Sequence, residues 1–138
     1  MEMRDAMYSN KLRMRWVIHE LSCSDLRNPA LLHRIANRVN LSLSRFRHLF
    51  TQFIGVSPSR YLKQMRLARA RHLLENSLLT VKEVAAAVGV NDVSHFVRDY
   101  KEAYGENPSE SRHRALPVIL VAGGQHGQQD SPTHGELR

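Results

Sequence analysis

Two clusters of side chains carry the chemistry this sequence offers. Ser44, Arg45, Arg47 and His48 stand around the apolar residues Phe46 and Leu49, and Gln52 follows one helical turn later. Val93, Ser94, Val97 and Arg98 stand in the same way around Phe96, with Lys101 on the next turn. On a helix whose apolar residues face inward, these side chains face outward. Hydroxyl, imidazole and guanidinium donors so placed can pair with base edges in a major groove, and valine methyls can meet a thymine methyl. Arg47 is the strongest candidate, because a bidentate arginine on guanine discriminates by about 1–3 kcal/mol. Arg98 is the long donor of the second cluster. Gln52, Arg60, Lys63 and Lys101 are candidates for the phosphate backbone, which positions a protein without reading sequence.

Other chemistries find little support. The eight histidines are spread singly, with no H-x-x-x-H and no carboxylate at ligand spacing, so no metal site is expected. No Ser/His/Asp, Cys/His or Gly-rich phosphate pattern occurs, so neither catalysis nor a cofactor is expected. The single cysteine, Cys23, cannot form an internal disulfide. The N-terminus lacks a signal-peptide core, and the apolar run Pro117 to Ala122 is too short to span a bilayer. The expectation is a soluble, cytoplasmic protein with no membrane partner. The formal charge of +7 points to an anionic partner, and its distribution says more than its total. Residues 28 to 76 hold nine lysines and arginines against one acid, Glu75, while residues 77 to 114 hold five against six.

The elements that would position these clusters show up when the chain is laid against itself. Ala36, Val39, Asn40 and Leu41 recur 49 residues later as Ala85, Val88, Gly89 and Val90. Phe46, Phe50, Gly55, Pro58 and Ser59 recur at an offset of 50 as Phe96, Tyr100, Gly105, Pro108 and Ser109. Two copies of one supersecondary unit explain the pattern. In each, a short helix carries a small residue four positions before a turn residue suited to positive φ, which lets the next helix cross closely. Asn28 and Pro29 predict the start of the first copy, and the T-x-x-E pattern of Thr80 and Glu83 that of the second. The seams are Ile35, Val39, Leu41, Phe46 and Leu49 in one copy, and Val84, Val88, Val90 and Phe96 in the other. Second helices are predicted from about Ser42 to Phe53 and Asp92 to Tyr104. Ser57 and Asn107 can cap further helices at Pro58 and Pro108. The helix from Ser59 to Asn76 would be about 27 Å long, a rod able to hold two recognition helices about 34 Å, or one DNA turn, apart.

These residues resemble the DNA-binding domain of AraC/XylS-type transcriptional regulators. The likeness covers roughly residues 10 to 114 and rests on two helix-turn-helix units, the connector pattern Arg66, Leu67, Ala70, Leu73, Leu74, the triplet Ser94 to Phe96 and the G-x-x-P endings. It implies an all-α fold, two helix-turn-helix subdomains joined by a long connector helix, with Ser44, Arg47 and His48 on the main base-reading positions. It also implies double-stranded promoter DNA as partner and activation through contact with RNA polymerase. Three residues depart from the pattern: Asn40 in place of glycine, Val90 in place of an aromatic, and Ser111 in place of a tyrosine. The last weakens the expected packing of the C-terminal helix.

The expected organisation is an N-terminal helix (1–27) packed on the first subdomain through Leu12, Trp16, Val17 and Leu21, the first helix-turn-helix (28–57), the connector (58–76), the second helix-turn-helix (77–114) and a tail (115–138). Within the tail, ALPVILVAGG fits a strand, a packing arm or a partner-binding segment, and the Gly/Gln/Ser-rich remainder reads as disordered. Arg66, Arg69 and Arg71 are either a solvated face or phosphate contacts, and His95 is structural. Two organisations remain open: a stand-alone monomer that reads an asymmetric site, or the DNA-binding part of a longer effector-sensing regulator. The rival from another class is a helical protein-interaction module using the acidic, valine-bearing face of the second copy.

Overall fold

The chain's computed structural model describes residues 2–125, as seven helices: α1 (Glu2–Cys23), α2 (Leu31–Arg38), α3 (Leu43–Ile54), α4 (Pro58–Asn76), α5 (Val81–Ala87), α6 (Val93–Tyr104) and α7 (Pro108–Gln125). No strand forms among the described residues.

The internal repeat becomes two helix-turn-helix units, α2–α3 and α5–α6. Ala36 and Ala85 are fully buried at the crossings. Each of their carbonyls accepts the backbone N–H five residues on, from Leu41 at 3.0 Å and from Val90 at 2.9 Å. The turns bend at Asn40 (φ 57°) and Gly89 (φ 85°). Even the aromatic geometry repeats: Phe46 and Phe50 lie 5.8 Å apart, Phe96 and Tyr100 5.9 Å, both tilted by 55°.

Caps fix where helices begin. Ser42, Ser57 and Thr80 each accept the N–H three residues on at 3.2 Å, and Glu83 returns the bond to the Thr80 N–H at 2.7 Å. Such caps contribute about 1 kcal/mol each. The first unit differs from expectation. Asn28 accepts from the Ala30 N–H at 2.9 Å and so builds a turn; α2 starts only at Leu31, with no side-chain cap.

There are two cores, and α4 belongs to both. Met14, Val17, Leu21, Leu26, Ile35, Phe46, Phe50 and Leu62 are buried in the first. Leu67, Ala70, Leu74, Val84, Val88, Phe96 and Tyr100 are buried in the second. Trp16 packs half-buried on the first core beneath the Arg38 guanidinium, 5.6 Å from its ring centre. Leu12, expected in the same seam, is 47% exposed, because at 3.6 residues per turn it points away from the face of α1 that buries Met14, Val17 and Leu21.

The C-terminal segment bears on two expectations. Residues 115–124 form no strand but continue α7 through Pro117, and α7 packs on α4 with its earlier part, so that of the three alternatives the packing arm fits Ala115, Leu116 and Ile119. Pro108 and Ser111 are buried, and Arg112, Ala115, Leu116 and Ile119 are half-buried, a helical stripe that the run of branched residues after Pro117 disguises. The polar remainder, residues 126–138, lies outside the described residues. Nor does Ser111 weaken the packing. It is fully buried, accepts from the Tyr100 hydroxyl at 2.8 Å and donates to Glu106 at 2.6 Å. The second copy has carried the phenol over to α6, and serine leaves room for it.

Ser111→Ala would leave the Tyr100 hydroxyl buried without a partner, so it should cost about 1–3 kcal/mol in urea unfolding, and far less when Tyr100 is already Phe. Glu106 is held below the ordinary carboxylate value of 4.5, first by Arg114 and then by Ser111. Its contribution is therefore complete above pH 4.5 and lost as pH falls through the lower folded value. Glu106→Gln should lower Tm at neutral pH and flatten its decline on the acid side, as read by circular dichroism.

Candidate nucleic-acid interface

The outward residues of the first cluster share one exposed surface. Ser44, Arg45, Arg47, His48 and Gln52 are all exposed along α3, between the buried Phe46, Leu49 and Phe50. Ser42 caps this helix with a neutral hydroxyl, which leaves the positive N-terminal end of the helix available to an anion.

The second surface is built differently. Ser94, Arg98 and Lys101 are exposed on α6, but Val97 is half-buried, and Val93 is half-buried against the second core. Val93, expected to read bases, is thus also a partial core residue, because the first helical position after the turn faces the crossing helix. Asp92 caps α6, accepting from the N–H groups of Ser94 at 2.9 Å and His95 at 3.2 Å. A carboxylate thus offsets the positive end of α6, where α3 carries only the neutral Ser42 hydroxyl. His95 lies 3.8 Å from Asp92 and also 3.3 Å from a guanidinium nitrogen of Arg98, so it links cap and candidate reader.

Sorting the basic block by partner shrinks the surface available to phosphate. Arg38 pairs with Glu20 at 3.2 Å, and Arg71 pairs with Glu75 at 3.0 Å and lies over the Tyr104 ring. Arg66 donates twice to the Leu26 carbonyl, and burial pulls its guanidinium down from its ordinary pKa. Lys63 is exposed yet pairs across to Asp99 of α6 at 3.1 Å. Among the described residues Arg34, Arg45, Arg47, Arg60 and Arg69 have no anionic side chain in ion-pair contact, and all five are exposed. In the second unit Arg112 is spent on the carbonyls of Leu79 and Leu78, and Arg114 on Glu106 and Glu75. That leaves Lys82, Arg98 and Lys101 facing solvent without such a pair. Sequence reasoning missed Asp99 as the partner of Lys63, since two residues 36 positions apart on different helices leave no local signal.

Among the described residues no group of His, Cys, Asp and Glu could hold a metal ion, and no helix is long and apolar enough to cross a membrane. A family model described as a helix-turn-helix domain matches residues 35–114, more than half of the chain. The chain belongs to the AraC-type helix-turn-helix family. Among relatives of this AraC-type chain, the HTH-type transcriptional regulator GbdR of Pseudomonas aeruginosa is 35% identical over 101 residues, 71% of this chain and 28% of its own length. The HTH-type transcriptional activator RhaS of Escherichia fergusonii is 38% identical over 78 residues, 56% of this chain and 28% of its own. The chain therefore spans under a third of the length of either. A solved transcriptional regulator from Chromobacterium violaceum, described by its AraC-type DNA-binding domain, superposes with a TM-score of 0.67 at 25% identity, over 75% of this chain and 91% of that one. The AraC-type chain thus carries the DNA-binding domain of a transcriptional regulator.

The Lys63–Asp99 pair is exposed enough to be worth only about 0–1 kcal/mol, so a phosphate can compete for the lysine. Asp99→Asn should release it: affinity for random duplex DNA rises, and the slope of log K against log salt steepens by about 0.9, the increment of one further phosphate contact. Fluorescence anisotropy across a salt series checks this.

Proposed function

We propose that the chain binds a specific, asymmetric promoter site as a monomer in the cytoplasm, with α3 and α6 in successive major-groove segments, and activates transcription through contact with RNA polymerase. The observation that carries the two-headed reading is that α4 is buried in both cores. One helix of 19 residues, about 28 Å, thus displays both candidate recognition helices. A single chain then supplies what two subunits supply in a symmetric dimer.

The two heads contribute unequally. Ser44, Arg45, Arg47 and His48 read bases from α3, supported on the backbone by Gln52 and Arg60. On α6, Ser94 and Arg98 do the reading, Val97 offers methyl contact, and Lys101 holds phosphate. With its aspartate cap and its spent arginines, the second head adds less affinity and narrower discrimination. Activation rests on likeness to the named activator, and the polymerase contact on the family resemblance.

Selection from random duplex DNA at near-physiological salt should enrich one non-palindromic site. Arg47→Ala should relax one position within the first block by about 1–3 kcal/mol of discrimination. Arg98→Ala should relax a position about one turn away and leave the first block unchanged. If all sequences bind equally, or if both variants relax the same position, the two-headed reading is wrong and a protein-binding role for the second head takes its place.

A further inference from the structure

Gly89 stands where a side chain does not fit, and its positive φ of 85° is only part of the reason. The matching residue of the first unit is Asn40, which holds φ 57° with its side chain exposed. A turn of this kind therefore accepts a residue with a Cβ. At Gly89 an added Cβ would lie 2.7 Å from the Arg27 Cα and 2.8 Å from the Leu26 carbonyl oxygen. Both are backbone atoms of the α1–α2 connection, so neither can rotate out of the way. The glycine answers to the other head.

The same peptide is held from a third side. The Leu26 oxygen accepts from Arg66 Nε at 3.1 Å and Nη2 at 2.9 Å. Arg66 lies on α4 between Leu62, buried in the first core, and Leu67, buried in the second. The Leu26 side chain is itself buried in the first core. Asp25 steadies the connection by accepting the Arg27 N–H at 3.0 Å and gripping its guanidinium. One peptide thus touches the first unit through Leu26, the connector through Arg66 and the second unit through Gly89.

We infer that the Leu26–Arg27 peptide, clamped between Arg66 and Gly89, sets the separation and rotation of the two recognition helices, so that Arg66 and Gly89 are positioning residues for the spacing of the DNA site. This rests on the two-headed reading above. Inserting one base pair between the two blocks of a site moves the second by about 3.4 Å and turns it by about 34°. Heads clamped together can follow only by deforming the DNA. Heads joined by α4 alone, with the clamp opened, follow by a small shift of the second unit.

The test measures the full chain on its selected site, on versions with one base pair inserted or removed between the blocks, and on the first block alone. Arg66→Met keeps the aliphatic stem and removes both donors; Gly89→Ala pushes the peptide away. The unaltered protein should lose about tenfold or more on either shifted site, whereas each variant loses about threefold or less and holds the first block within about twofold. Arg66→Lys, which keeps a donor, should fall between. Identical spacing profiles for all the proteins would overturn the inference while leaving the two-headed reading intact. Loss of the first block in Arg66→Met would overturn it too, by making Arg66 a folding residue. If the unaltered protein never engages a second block, the two-headed reading fails and the clamp has nothing to set.

Discussion

Leu62 and Leu67 are five residues apart on α4, and each is buried in a different core. At 3.6 residues per turn they point about 140° apart around the helix axis. The second unit therefore cannot be placed freely relative to the first, since a large rotation about α4 would expose Leu67, Ala70 and Leu74. The three-way contact at Leu26, Arg66 and Gly89 works within that constraint. Burial sets the coarse orientation, and hydrogen bonds with one glycine sharpen it.

Net charge alone would mislead about where an anion binds. The excess positive charge lies in residues 28–76, but Arg38, Lys63 and Arg71 are paired with carboxylates and Arg66 donates to a backbone carbonyl. What remains is gathered on α2, on α3 and along α4. The second unit spends Arg112 on tying α7 to the carbonyls before α5, and Arg114 on Glu106 and Glu75. Its arginines hold the subdomain together, whereas Arg45 and Arg47 face solvent.

The fold was legible because the repeat kept its buried residues at fixed intervals: Ala36 with Ala85, Phe46 with Phe96, and turn residues between. Outward positions on α3 followed from the same periodicity. Legibility failed where the determining partner was distant in sequence. Val93 looks outward by spacing but lies against the second core, and Lys63 finds Asp99 across the interface between helices. Ser111 reads as a lost aromatic in the sequence, because its partner, the Tyr100 hydroxyl, lies 11 residues away on another helix. The stripe of α7 was hidden by Pro117, which normally argues against helix continuation.

The first half of α1 is a helix without a floor. None of its residues from Met3 to Arg13 is buried, and Met3, Met7 and Tyr8 are 87%, 63% and 66% exposed. Isolated helices shorter than about 12–15 residues are marginal in water, so this segment relies on propagation from the anchored turn at Met14 and Val17. Its amides should exchange through local fraying, at rates unrelated to the opening of either core. A calorimetric trace of the chain should therefore hold a gradual helix–coil component beneath the cooperative transition, and only the latter would report on the two-core body.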